Sequence, residues 1–138
     1  MKKSDGICKL CNEMNETICH LLIECKCINS IWKATQKALC DITQENIVLS
    51  SQLIIFGMTN VQDFVSVFTN FLLYNTKWLI WKHRNCVRYG NEKVTNANLL
   101  FSQILVFNKE EAKNVLHSKL QTNVDNNLKG LMEKLASY

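Results

Sequence analysis

With 138 residues, 47% of them hydrophobic, the chain is long and apolar enough to enclose a core of its own, which excludes an intrinsically disordered polypeptide. Its richest apolar run, FVSVFTNFLLYNTKWLIW, is broken by Ser66, Thr69, Asn70, Asn75 and Lys77, so no bilayer span and no membrane partner is expected. The net charge is +4, and Lys77, Lys82, Arg84, Arg88 and Lys93 against Glu92 carry as much excess as the whole chain, which reads either as a solvated helix face or as a basic patch.

The opening MKKSDGIC has two lysines but lacks the apolar run of a secretory signal. An intracellular location, cytoplasm and/or nucleus, is therefore expected rather than secretion, with the cysteines reduced. Four of the seven cysteines and a histidine then crowd into CKLCNEMNETICHLLIEC. In a reducing compartment such a cluster points to a metal rather than to disulfides. Cys8, Cys11, His20 and Cys25 spell C-x2-C-x8-H-x4-C. The two-residue gap lets a tight turn aim both thiolates at one ion, and the loop returns the histidine and last cysteine to complete a tetrahedron, which suits one structural Zn2+. All four positions are then filled by protein, leaving no place for a catalytic water. Thr17 is placed to cap a helical turn in which Leu21 and Leu22 face the core and His20 faces the ion. Cys19 and Cys27 stand as alternative ligands, Cys27 being close enough to replace Cys25 if the turn is shifted. A C-x2-C redox pair is disfavoured because no βαβ pattern surrounds it.

The predicted fold is mainly α, with a zinc finger over 1–28 packed as one unit on a helical region over 29–138. NSIWKATQKALC predicts a helix over 29–40, capped by Asn29 and Ser30, with Ile31, Trp32, Thr35 and Leu39 on one stripe. NIVLSSQLIIFG is β-branched and apolar, and predicts a short extended segment near 46–57. Phe64, Phe68, Phe71, Leu72, Trp78 and Leu79 recur at three- and four-residue steps, predicting the main helix over 61–89 with Gly90 as its stop. Two further helices are predicted over 97–118 and 122–136, and no proline interrupts them. The apolar run NANLLFSQILVF is rich enough for part of it to face a missing domain.

The stretch from Cys8 to Trp32 resembles the zinc-binding region found C-terminal to the reverse transcriptase of non-LTR (LINE-type) retrotransposons. The likeness rests on Cys8, Cys11, Glu16, Thr17, His20, Leu21, Leu22, Cys25 and Trp32. A second segment, WLIWKHRNCVRYGN, is similar to the Trp-x-x-Trp-Lys-x-Arg-Asn motif that follows the finger in such proteins, here Trp78, Trp81, Lys82, Arg84 and Asn85. Together they cover roughly residues 8 to 90. The chain departs from the pattern at Lys26, where members often have a proline, and this keeps the choice between Cys25 and Cys27 open.

The resemblance implies a fragment of a polyprotein whose partners are RNA or DNA and the reverse transcriptase and endonuclease domains of the same polyprotein, with no small-molecule substrate. No catalytic residue is expected here. The four aspartates, at 5, 41, 63 and 125, include no adjacent pair to hold polymerase magnesium ions. Glu110 and Glu111 are neighbours, yet on a helix they point about 100° apart. His83 and Cys86 lie one turn apart, but Lys82, Arg84 and the nearby aromatic residues account for that segment without catalysis. Candidate nucleic-acid contacts are Lys2, Lys3, Lys9 and Lys26 around the finger and Lys77, Trp81, Lys82, Arg84 and Arg88 on the main helix. Arg84 and Arg88, four apart, would straddle successive phosphates. Trp81 would lie beside a base, whereas Trp32 and Trp78 read as core. The alternative is a non-catalytic protein-contact appendage, or a decayed fragment without activity.

Overall fold

A computed structural model describes residues 6–59, 62–118 and 126–138. After a looped N-terminal segment comes a π-helical turn over His20–Glu24, followed by α1 (Asn29–Thr43), α2 (Ser51–Phe56), α3 (Phe64–Tyr89), α4 (Ala97–Leu116) and α5 (Asn126–Ala136). Among the described residues there is no strand, only an isolated antiparallel bridge between Ile7 and Asn15. The expected architecture, a cysteine- and histidine-bearing segment on a mainly helical body, is what is found.

Several boundaries move for local reasons. α1 starts at Asn29 without a side-chain cap, so Asn29 and Ser30 are helical residues rather than caps, and it runs on to Thr43. It stops at Gln44, whose φ of 60° is left-handed and whose N–H returns to Cys40 O. The extended segment expected near 46–57 is half wrong. Residues 46–50 are irregular, tied to α1 by Leu49 N–H donating to Gln36 Oε1 at 2.7 Å, but Ser51–Phe56 is a helix. There Ser50 Oγ accepts the Leu53 N–H at 3.1 Å and Ile54 is buried, so a cap and a core contact override β-propensity. The main helix begins at Phe64, capped by Asp63, rather than at 61, which lies outside the described residues. α4 ends at Leu116, two residues short of 118, and of the last predicted helix residues 122–125 fall outside the described residues.

The helices enclose two clusters. One is formed by Phe68, Leu72, Leu39, Ile42, Leu131 and Leu135 from α1, α3 and α5. The other joins the finger to the body: Cys8, Leu10, Leu21 and Cys25 share it with Trp32, Leu73, Ile80, Leu100 and Ile104. Trp32 is buried as expected, its indole N–H donating to Leu22 O, whereas Trp78 is 47% exposed and is not a core residue. It lies about 160° around α3 from the buried Thr76 and Ile80, on the outward side of the helix, beside Phe107 and Glu111 of α4. No described helix is long and apolar enough to cross a membrane.

Gly57 ends α2 with a φ of 77°, and the next residue is clamped to α3: Met58 N–H donates to Asn70 Oδ1 at 2.7 Å, and Asn70 Nδ2 to Met58 O at 3.0 Å. A Cβ at Gly57 would lie 2.8 Å from Asn70 Oδ1. Gly57→Ala is expected to lower stability by about 1–3 kcal/mol, combining left-handed strain with loss of this clamp, as read from urea unfolding.

Candidate metal centre and the helix docked on it

Short hydrogen bonds shape the finger. Cys8 N–H donates to Met14 O and Asn12 N–H to Cys8 O, each at 2.8 Å, and Asn12 takes a left-handed φ of 57°. This tight turn points Cys8 and Cys11 the same way. The second half is a helical turn whose start is held by Thr17 Oγ1, which accepts the His20 N–H at 3.0 Å, the cap expected from the sequence. The turn then widens into the π form over His20–Glu24, a rare geometry often found at functional sites. Cys25 N–H closes it on His20 O at 2.8 Å, and Cys25 O accepts from Ile28 and Asn29 to start α1.

The outcome is one cluster in which the ligand atoms of Cys8, Cys11, His20 and Cys25 all lie within 4.8 Å of one another. Cys8 Sγ and Cys25 Sγ are 3.9 Å apart, and Cys11 Sγ is 3.4 Å from His20 Nε2. A tetrahedron with metal–thiolate bonds of about 2.3 Å has sulfur–sulfur edges of about 3.8 Å, so the four residues are close enough to hold one metal ion. Neither alternative ligand belongs to this cluster. Cys27 donates its thiol to Leu10 O at 3.3 Å, and Cys19 is exposed on the outer side of the turn. Among the described residues no other group of three or more histidines, cysteines and carboxylates could hold a metal.

Metal-free, the cluster is divided in protonation. Burial raises the pKa of Cys8 and of Cys25. Burial acts in the same direction on Cys11, but the backbone N–H groups of Glu13 and Met14 and the His20 ring outweigh it and hold this thiol at about 6. A metal must therefore displace protons from the two buried thiols. Loading at pH 7 in weak buffer is expected to release about two protons per ion, with affinity falling as pH falls; calorimetry in buffers of different ionisation enthalpy checks this. Cys11→Ser or His20→Ala is expected to lose the metal together with ordered structure in the finger, seen by native mass spectrometry and circular dichroism.

The basic residues divide according to what they touch. Arg84 is only 8% exposed, and its guanidinium is committed to Glu16: Nε lies 3.1 Å from both carboxylate oxygens, and Nη2 forms an ion pair with Oε1. Nη1 donates to Asn85 Oδ1 at 2.9 Å. Arg84, buried and committed to Glu16 and Asn85 within the protein, thus does not straddle phosphates with Arg88. Lys26 pairs with Glu13 on the finger surface, and Lys77 is half-buried and donates to Ile55 O at 3.1 Å. Lys82 and Trp81 are exposed, while Lys9 and Arg88 are half-buried. Lys2 and Lys3 lie outside the described residues. His83 accepts the Thr95 N–H on Nε2 at 3.3 Å, so that nitrogen is already engaged rather than poised over Cys86, although both residues line a cavity of about 410 Å³ between α3 and α4.

Neither a protein-family model, nor a curated protein, nor a solved structure matches the chain. The feature that sequence reasoning missed is Glu16 as a partner of Arg84. The two residues lie 68 positions apart, beyond the reach of any local spacing signal. Glu16→Gln would leave Arg84 buried without a counter-charge and is expected to destabilise the protein by about 3 kcal/mol, measured by thermal unfolding of the metal-loaded chain.

Proposed function

We propose that the chain is a non-catalytic, zinc-stabilised module that grips nucleic acid, of the kind found C-terminal to the reverse transcriptase of non-LTR retrotransposons. In such a polyprotein it would assist binding of element RNA or target DNA beside the polymerase and endonuclease domains. Zinc is favoured by the donor set, because three thiolates and one imidazole in a closed tetrahedron suit this ion's preferences and leave no open coordination position. The ion's task is to hold the finger's shape.

The observation that carries this reading is the Glu16–Arg84 ion pair. It locks the finger to the second resembling segment, so the two segments act as one unit that presents the exposed side of α3. That side offers Lys82, exposed, and Arg88, whose guanidinium lies 5.5 Å from the Tyr89 ring centre. A protein-contact role is the second reading, favoured by Leu99 and Val106 of α4, 52% and 60% exposed.

Anisotropy titration of the zinc-loaded chain with RNA and DNA at rising salt separates the two readings. Binding at low salt that weakens with salt is expected, and Lys82→Glu with Arg88→Glu should reduce the slope of log affinity against log salt by about 1–2. Arg84 is left intact in this variant because the fold depends on it. Absence of nucleic-acid affinity at low salt would leave the protein-contact reading.

A further inference from the structure

The outer face of α3 carries rings in a line that neither the core nor the metal centre uses. At 100° per residue, Tyr74, Trp78, Lys82, Asn85 and Tyr89 fall within about 40° of Trp78 around the helix, and Trp78 and Tyr89 are about 16 Å apart along its axis. Tyr74 is 69% exposed and Tyr89 71%. The last four, with Cys86 and Gly90, line an open depression of about 390 Å³ that has no aliphatic side chain in its wall. Two rings, an amide, one ammonium, a thiol and a glycine make up the surface.

The flanks of this line differ in charge. Trp81, Arg88 and Lys77 follow on one side, while on the other Tyr74 and Trp78 border Glu111 of α4, and Lys82 shares the neighbouring cavity with Glu92 and Glu110. The rings near the finger are also held in place. The Arg84 guanidinium lies 4.9 Å from the Trp81 ring centre and 5.9 Å from that of Tyr89, so the pair with Glu16 steadies both. Asn85 gives its Oδ1 to Arg84, which leaves its Nδ2 as a donor.

We propose that this face of α3 is a stacking platform for an unpaired nucleic-acid strand, with bases on Trp78 and Tyr89, the Asn85 Nδ2 donating to a base acceptor, and phosphates along Arg88 and Lys77 on the basic flank. The proposal rests on the nucleic-acid reading above and names the class of strand. Paired bases hide their faces within the duplex, whereas unpaired bases expose them to flat rings, and stacking tolerates any sequence. Phosphates are drawn to the basic flank and away from the carboxylates of α4. An apolar peptide helix would need aliphatic hollows, which this wall lacks.

The test uses the zinc-loaded full chain, a single-stranded oligouridylate and an RNA duplex of equal length, with tryptophan fluorescence and anisotropy read together. The single strand is expected to bind more tightly and to quench the tryptophans. Trp78→Ala and Tyr89→Ala are each expected to lower its affinity by roughly tenfold without altering duplex binding, while Trp78→Phe keeps most of it. Equal affinity for both forms, with unchanged binding by the alanine variants, would overturn the platform and leave general nucleic-acid binding standing. Single-strand binding by the unaltered chain without quenching overturns it too, whether or not the variants fold. Failure to bind either form removes the nucleic-acid reading itself, and capture of an acidic peptide in that case assigns the face to a protein partner.

Discussion

An arginine taken out of water has to be answered by a carboxylate in good geometry, because an unpaired charge in that position costs several kcal/mol. Arg84 is such a residue, and its answer comes from Glu16 in the cysteine-rich loop. The pair joins the part of the protein organised by ligand geometry to the part organised by helix packing. It also aligns the aromatic residues beside it, since the same guanidinium reaches Glu16, Asn85, Trp81 and Tyr89. One side chain thereby links the docking of the finger to the positions of Trp81 and Tyr89.

The finger depends on this arrangement because it has little apolar surface of its own to bury. Cys8, Leu10, Leu21 and Cys25 reach the core only by sharing it with α1, α3 and α4. The candidate metal cluster and the shared core therefore meet in one place: the hydrogen-bonded loop that carries the cluster presents Glu16 and Leu10, and the helices supply the apolar wall behind it. Where the core does not need aromatic residues, α3 leaves them outside, with Tyr74, Trp78 and Tyr89 all well exposed.

What could be read from the amino-acid order follows the range of each interaction. The ligand quartet was legible because its members sit within eighteen residues and their spacing carries the turn geometry. The Thr17 cap and the stripe of α1 were legible for the same reason. Which of Cys19, Cys25 and Cys27 joins the cluster depends on the direction of each thiol, and that of Cys27 is turned to Leu10 O. Arg84 was misassigned because composition displays a charge without its partner, which lies 68 residues away. Trp78 was misread as core because recurrence at three and four residues does not distinguish the buried side of α3, which carries Thr76 and Ile80, from the outward side on which Trp78 lies. The segment near 46–57 was misread because the Ser50 cap and the burial of Ile54 outweigh the β-branched composition.

The separation between Glu16 and Arg84 also bears on how the chain reaches its fold. Cys8 and Cys25 are 17 positions apart, so the metal loop closes locally, whereas the docking ion pair spans 68 positions and pays a larger loop-closure entropy. The four candidate ligands can thus come together while Arg84 is still in water. The contact between Glu16 and Arg84 therefore carries the larger entropic cost of closure, and the loop that bears the four candidate ligands closes at the smaller one.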